Sequence, residues 1–405
     1  QFRHSRVFAG ATQKAGVEAN CQACHGVACV AARFADNAAT KLSVILMERE
    51  IDMPKRKAVV VGARGTTGRN VVRTLEAEGG WEVIGLSRSA PGFETGATFI
   101  SVDLEDEADA EAKLAPLTDV THVFYCGLAG GFEAENIEGN VALVRNSVGI
   151  LDRVSPALER VTLTQGGKYY GCHLGPYKTP SVETDPRHMP PNFYYNQQDY
   201  LKELQQGKSW GLTMVRPEIV IGLSAGVPLN TLNFVSVYAA IAAELDIPFD
   251  FPGRPAAWQA LNKYTDAEIL GRFEVWSSTK DNCANEEFNI TNGDCFRWEH
   301  IWHEIGETFG CRRGQVRPCS LTVLMEDKGP VWDEIVQKHQ LQSYKMDELA
   351  NWIFADWVFA RDWDIILEDR KRIRHGYGEI IYTEEMFTRY FTKMRELKII
   401  PEARA

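Results

Sequence analysis

From Lys57 onward, short apolar runs rich in β-branched residues alternate with stretches of helical spacing. The runs predict strands at Ala58–Val61, Trp81–Leu86, Thr98–Val102, Thr121–Tyr125, Val161–Thr164 and Leu212–Arg216. Strands separated by helices mean βαβ units and a parallel sheet covered on both faces. After Gly65, the apolar Val71, Val72 and Leu75 share one helical face and predict the first crossover helix. The last third of the chain is richer in tryptophan and in helical period. Its stripe of Trp352, Phe354, Trp357, Val358 and Trp363 reads as core packing, and Trp258, Trp276 and Trp298 read as core or pocket wall. The expected fold class is α/β, a Rossmann-type doubly wound parallel sheet with a smaller, mostly helical C-terminal part.

Residues 1–52 do not follow this pattern. They are Ala-rich and aperiodic and hold Cys21, Cys24 and Cys29. Met53, directly before Pro54-Lys-Arg-Lys, is the expected natural start, which makes 1–52 a non-conforming or disordered N-terminal extension. The stretch Cys21-Gln-Ala-Cys24-His25 matches the haem c attachment pattern, but no secretory apolar segment precedes it, and it is read as chance composition. Residues 53–405 are expected to form one nucleotide-binding unit, its substrate-covering portion drawn mainly from 190–405.

Composition narrows the function. Of 405 residues, 44% are hydrophobic and 24% charged, which is globular rather than disordered. Lys plus Arg number 44 against 55 Asp plus Glu, a net charge of -11. With no basic stripe, such a chain gains little from counterion release, so a nucleic-acid partner is not expected. The longest apolar run, Phe234–Ala243, is interrupted by Ser236 and stopped by Glu244, whereas a membrane span needs ~20 residues. No membrane span is expected. Nine cysteines are too few for a disulfide scaffold and are read as reduced thiols of a cytoplasmic protein.

The first predicted strand runs into Gly62-Ala63-Arg64-Gly65-Thr66-Thr67-Gly68 and then into the first helix. Glycines at this junction permit a tight turn and close approach of backbone to a pyrophosphate, while the helix N-terminus supplies free N–H groups. This context makes Gly62, Arg64, Gly65, Thr66, Thr67 and Gly68 candidate dinucleotide-binding residues. An NAD site carries an acidic residue at the end of the second strand, and here that strand ends in Ser87-Arg88. Arg88 and Arg64, with Ser87 as a donor, suit a 2′-phosphate, so NADPH is the expected cofactor. Asp103 and Leu104, after the third strand, are placed for the adenine edge.

Reductases on this fold normally carry Tyr-x-x-x-Lys on one helix, because the nearby ammonium favours the ionised phenol and grips the ribose. None of the 13 tyrosines has lysine four residues on. Taken alone, that pattern leaves open a nucleotide-binding protein without chemistry.

Several unusual blocks resolve this: Leu117-Thr-Asp-Val-Thr-His-Val-Phe-Tyr125, Gly166-Gly-Lys168-Tyr-Tyr170, Asn192-Phe-Tyr194-Tyr195, Val237-Tyr-Ala-Ala-Ile241 and Phe288-Asn-Ile-Thr-Asn-Gly-Asp294. From Lys55 to Pro401 the chain resembles the progesterone 5β-reductase/iridoid synthase-like (PRISE) reductases, an atypical branch of the extended short-chain dehydrogenases/reductases. The resemblance implies that the catalytic lysine sits in a Gly-x-Lys segment after a strand and the tyrosine opens a Tyr-Tyr pair. Carried across, these are Lys168 and Tyr194, with Lys168 also holding the nicotinamide ribose. It further implies cofactor contacts from Tyr125, Gln165, Pro217 and Ile219, structural roles for Tyr195 and Asp199, an active-site brace at Asn140, and a homodimer. Plant members carry a threonine just before the lysine where this chain has Gln165, and the loop Gly171–Pro180, with His173, departs from the plant form.

The resulting expectation is an NADPH-dependent reductase of activated C=C bonds in enones or enals, acting by 1,4-hydride addition. Tyr194 would polarise the carbonyl oxygen and Lys168 would assist. The same residues serve a carbonyl (1,2-) reductase, and a non-catalytic NADP-binding sensor is the alternative from another class. A nucleotide-sugar epimerase shares the fold but should carry Tyr-x-x-x-Lys. No metal site is expected.

Overall fold

The structure is a computed structural model that describes residues 56–130 and 135–403. The expectations for residues 1–52 fall outside the described residues.

Seven parallel strands form the central sheet: β1 (Arg56–Val61), β2 (Trp81–Ser87), β3 (Thr98–Ser101), β4 (His122–Tyr125), β5 (Arg160–Thr164), β6 (Gly211–Pro217) and β7 (Glu287–Ile290). Their order is β7-β6-β5-β4-β1-β2-β3. Every neighbouring pair is parallel. All six strands expected from the apolar runs are present. They are read as near-continuous apolar runs because both faces are buried; Ala58, Val59 and Val60 are wholly inaccessible. β7 lies in a block that carried only a family resemblance, and Glu287 and Asn289 interrupt its apolar residues.

Strand order reverses between β1 and β4, and the register puts the functional edge there. Val61 pairs with Leu86 on one side and Tyr125 on the other. The chain therefore leaves β1, β2 and β4 at one level, and Gly62, Ser87 and Cys126 share the carboxyl edge where doubly wound folds bind ligands.

Helix α1 (Thr66–Glu78) starts at Gly65, buries Val71, Val72 and Leu75 against the sheet, and stops at Gly79, whose φ of 71° suits glycine. Helix α2 (Glu107–Leu114) is capped by Asp106, which accepts from Ala108 N and Asp109 N. Helix α3 (Ile137–Val144) follows β4, and helix α4 (Phe193–Leu204) carries the tyrosine pair.

Residues 190–405 divide between two tasks. β6, β7 and helix α6 (Ala267–Ser278) complete the Rossmann layers, while helix α5 (Thr231–Glu244), helix α7 (Trp298–Thr308), helix α8 (Trp352–Ala360) and helix α9 (Thr383–Glu396) build a second core. That core is aromatic: Trp302 stacks on Phe249 with centroids 4.2 Å apart and meets Trp298 and Phe359 edge-on. Trp258 packs on Phe251 and Trp276 on Tyr377. Removing a buried aromatic of this kind costs about 3–5 kcal/mol. No helix among the described residues is long and apolar enough to cross a membrane, and no cluster of metal-ligating side chains is found among them.

Candidate active site

A cavity of about 610 Å³ opens along the carboxyl edge of the sheet. One end is walled by Gly62, Arg64, Gly65, Thr66, Thr67, Ser87, Arg88, Asp103 and Leu104, the other by Gln165, Tyr194, Pro217 and Ile219. The structure thus brings two sets of residues, one from 62–104 and one from 165–219, onto one continuous surface.

The glycine loop is shaped for close approach. A Cβ on Gly62, where φ is 74°, would sit 2.7 Å from the Cys126 carbonyl oxygen. One on Gly68 would sit 2.4 Å from the Gly62 carbonyl oxygen. Gly68 does not line the cavity; it packs the first turn of α1 against the loop, the task of the third glycine in such motifs. Arg64 donates to Ser89 Oγ at 2.8 Å, which draws its guanidinium toward Arg88 and the end of β2. The Ser87 hydroxyl donates to the Ser89 carbonyl. No acidic residue intrudes at the end of β2 itself, while Asp103 and Glu105 flank the cavity beyond β3. Asp103 Oδ1 also accepts from Glu105 N at 3.0 Å, so it closes a local turn while facing the cavity. Two cations at one end, a cradle that side chains would fill, and the free N-terminus of α1 fit a phosphorylated dinucleotide.

Tyr125 does not line the cavity. Its ring is completely buried beneath the sheet among Val123, Val144 and Leu163, and its hydroxyl accepts from Gln197 Nε2 at 3.2 Å. Alternation along β4 turns Tyr125 to that face with Val123, and Cys126, Gly127 and Leu128 wall the cavity instead. Asn140 accepts from Ala129 N and donates to the carbonyls of Ala129 and Asn136, bracing the loop after β4 that walls the cavity.

Tyr194 stands half-buried in the cavity wall because Asn192 caps α4. Asn192 Oδ1 accepts from Tyr194 N at 3.1 Å, and its Nδ2 donates to the Lys168 carbonyl at 3.0 Å. One asparagine thus ties the lysine loop to the tyrosine helix. Gln165 holds the same junction: its Nε2 donates to the Tyr194 carbonyl at 3.1 Å and its Oε1 accepts from Arg216 Nε at 2.9 Å. Tyr195 donates to the Tyr169 carbonyl and Asp199 pairs with Arg187, so both are structural.

Lys168 lies beside Tyr194 but does not line the cavity. Its Nζ is 5.3 Å from the Tyr194 ring centroid and 4.0 Å from that of Phe193, and it bonds Glu135 Oε1 at 2.5 Å. Burial lowers the Lys168 ammonium below its ordinary value while Glu135 pulls it back up. Burial pushes the Tyr194 phenol well above its ordinary value, and the neighbouring Cys172, Glu135 and Glu218 add to that. Both effects favour the protonated phenol, whose hydroxyl can donate a hydrogen bond. In the loop 171–180, burial pushes His173 down to about 4, with Lys168 adding to it, and its Nδ1 is buried without a partner.

Three carboxyls of this region carried no legible signal or a faint one. Glu135, from the segment before α3, holds Lys168 and accepts from Phe193 N. Glu218 forms a buried ion pair with Arg361 at 3.0 Å, joining the segment after β6 to the residue following α8. Glu274 is wholly buried on α6 and was detectable only as a carboxylate one turn after Leu270 on an apolar face. Phe354 was assigned to core packing and also lines the cavity.

A parallel Rossmann sheet with a tyrosine in the carboxyl-edge cavity defines an oxidoreductase of the short-chain dehydrogenase/reductase type. Comparison with solved structures agrees on the fold: the chain is similar to UDP-glucose 4-epimerase of Thermotoga maritima with a TM-score of 0.60 at 16% identity, over 84% of this chain and 99% of that one. The PRISE-like Rossmann-fold domain matches residues 96–401, and the chain belongs to that family. It is 33% identical to the (S)-8-oxocitronellyl enol synthase of Nepeta racemosa over 85% of this chain and 93% of that enzyme. It is 31% identical to a short chain dehydrogenase of Penicillium aethiopicum, over 86% of this chain and all of that protein.

Proposed function

We propose that the protein is an NADPH-dependent reductase of activated C=C bonds in small enones or enals. The observation that carries this reading is the position of Tyr194, in the cavity wall with Gln165, Pro217 and Ile219 after β5 and β6, while Arg64 and Arg88 line it after β1 and β2. Arg64 and Arg88 would hold the 2′-phosphate by charge-assisted bonds, and the glycine loop with the start of α1 would take the pyrophosphate. When bound, NADPH supplies the hydride.

The chain's own residues have one task, to stabilise negative charge gathering on the substrate oxygen. Tyr194 donates a hydrogen bond to that oxygen, and its high proton affinity keeps the donor in place. Lys168 contributes a positive charge alongside, restrained by Glu135 and Phe193. Hydride delivered to the β-carbon leaves an enol or enolate, in keeping with a relative whose name is enol synthase.

The test is NADPH oxidation with cyclohexenone, an acyclic enal and a saturated aldehyde, products identified by mass spectrometry, alongside Tyr194→Phe and Lys168→Ala. Saturated carbonyl product, slowed on the order of 10²-fold or more in the variants, is the expected result. Alcohol alone assigns carbonyl reduction instead. NADPH binding without turnover on any substrate overturns the enzymatic reading in favour of a sensor.

A further inference from the structure

Beneath the cavity floor lies a carboxyl that the proposed mechanism does not use. Glu274, wholly inaccessible on α6, accepts from Thr164 Oγ1 at 2.7 Å and stands 3.8 Å from Cys126 Sγ, which is in turn 3.4 Å from Thr164 Oγ1. Thr164 ends β5 and Cys126 follows β4, and both line the cavity next to Gln165 and Tyr194. One neutral layer, a hydroxyl and a thiol, thus separates the carboxyl from the end of the cavity where the nicotinamide would lie.

No cation balances Glu274 among the described residues. On its own helix, Glu268 is taken by Arg389 and Lys393, and Arg272 by Glu379. On α1, Arg69 and Arg73 lie over Phe93, and Glu76 holds Thr95. On β5, Arg160 points to the opposite edge, bonding the Ser277 and Lys280 carbonyls, and on β6 Arg216 is held by Glu287. Asp266, at the start of α6, pairs with Arg389. A carboxyl kept dry beside two neutral donors has no cation to hold it ionised. Burial pushes it up to about 7, against the opposing hydrogen bonds from Thr164 and Cys126.

We propose that Glu274 is a buried charge switch acting through Thr164 and Cys126: ionised, it favours the oxidised, positively charged cofactor, and protonated, it removes that preference. The inference rests on the cofactor reading above. It follows from Coulomb attraction across a low-dielectric layer, since the oxidised ring carries a positive charge that the reduced ring lacks. A residue of this kind sets which form the enzyme retains, and so how readily product cofactor leaves, as a function of pH.

The test is the dissociation constant of NADP⁺ and of NADPH, by calorimetry, for the full chain and for Glu274→Gln across the neutral range. Both nucleotides carry the same 2′-phosphate, so titration of the phosphate cancels in the ratio. Expected is a wild-type preference for NADP⁺ over NADPH that rises about tenfold between acid and alkaline pH, and a flat ratio in Glu274→Gln. A second measurement needs no variant: near neutrality NADP⁺ binding should release a proton to buffer that NADPH binding does not. A pH-dependent ratio that survives in Glu274→Gln, or equal proton release with both nucleotides, overturns the switch alone. Failure of both nucleotides to bind wild-type protein overturns the cofactor reading and the switch with it.

Discussion

Lys168 and Glu135 form an ion pair at 2.5 Å, and that pair, rather than the Tyr194 hydroxyl, holds the lysine's ammonium. The carboxylate raises the lysine's proton affinity where burial lowers it. Removing the carboxylate should therefore release Lys168 to titrate at lower pH. For Glu135→Gln, the alkaline limb of the kcat/KM profile is expected to move down by about one pH unit. Both side chains are partly exposed, so unfolding free energy should change by only about 0–1 kcal/mol. An unmoved alkaline limb would show that the pair has no part in the site.

Arg64 and Arg88 are separated by the whole of α1 and β2 yet meet at one end of the cavity. If they read a 2′-phosphate, Arg88→Ala and Arg64→Ala should each weaken NADPH about tenfold and leave NADH unchanged. Equal losses for the two nucleotides would assign these arginines to general surface charge. Titration calorimetry measures both.

Glu218 and Arg361 are almost wholly buried and tie the cavity wall after β6 to the end of α8. Glu218→Gln alone leaves a buried guanidinium without its counterion, at an expected cost of about 3–5 kcal/mol. The double variant Glu218→Gln with Arg361→Met should recover most of that loss. Urea denaturation of the single and double variants measures the coupling, and additive losses would argue that the pair is not energetically linked.

Glu274 makes the fold's stability pH-dependent in a defined direction. Its proton affinity is raised on folding, from 4.5 to about 7, so the native state binds its proton more tightly than the unfolded chain does. The stability it contributes is full below about pH 4.5 and is lost as pH rises through 7. Relative to Glu274→Gln, the wild type should lose roughly 3 kcal/mol between acid and mildly alkaline pH. Paired denaturation curves at the two ends of that window test it, and parallel behaviour of the two proteins would sink it.

The strand positions, the glycine loop and the missing acid at the end of β2 were all legible along the chain, because each depends on contacts local in sequence. Buried parallel strands announce themselves as β-branched runs, and a strand-to-helix turn needs glycine wherever φ is positive or backbones touch, as at Gly62. Tyr194 and Lys168 needed the resemblance, since nothing in their spacing joins them; Asn192 does so only in three dimensions. Tyr125, a cofactor contact implied by the resemblance alone, turns its ring away from the cavity, a facing that strand alternation imposes.

Tertiary structure alone decided which charges meet. Glu135, Glu218 and Glu274 each find or lack a partner 33 to 143 residues away, and an ionisable side chain's behaviour depends on burial and on those distant neighbours rather than on its own segment. The sequence by itself determined a dinucleotide-binding α/β sheet, through local periodicity and turn chemistry. Electrostatics around the reacting end was settled by packing, because Coulomb energy follows distance through space and the dielectric between the charges.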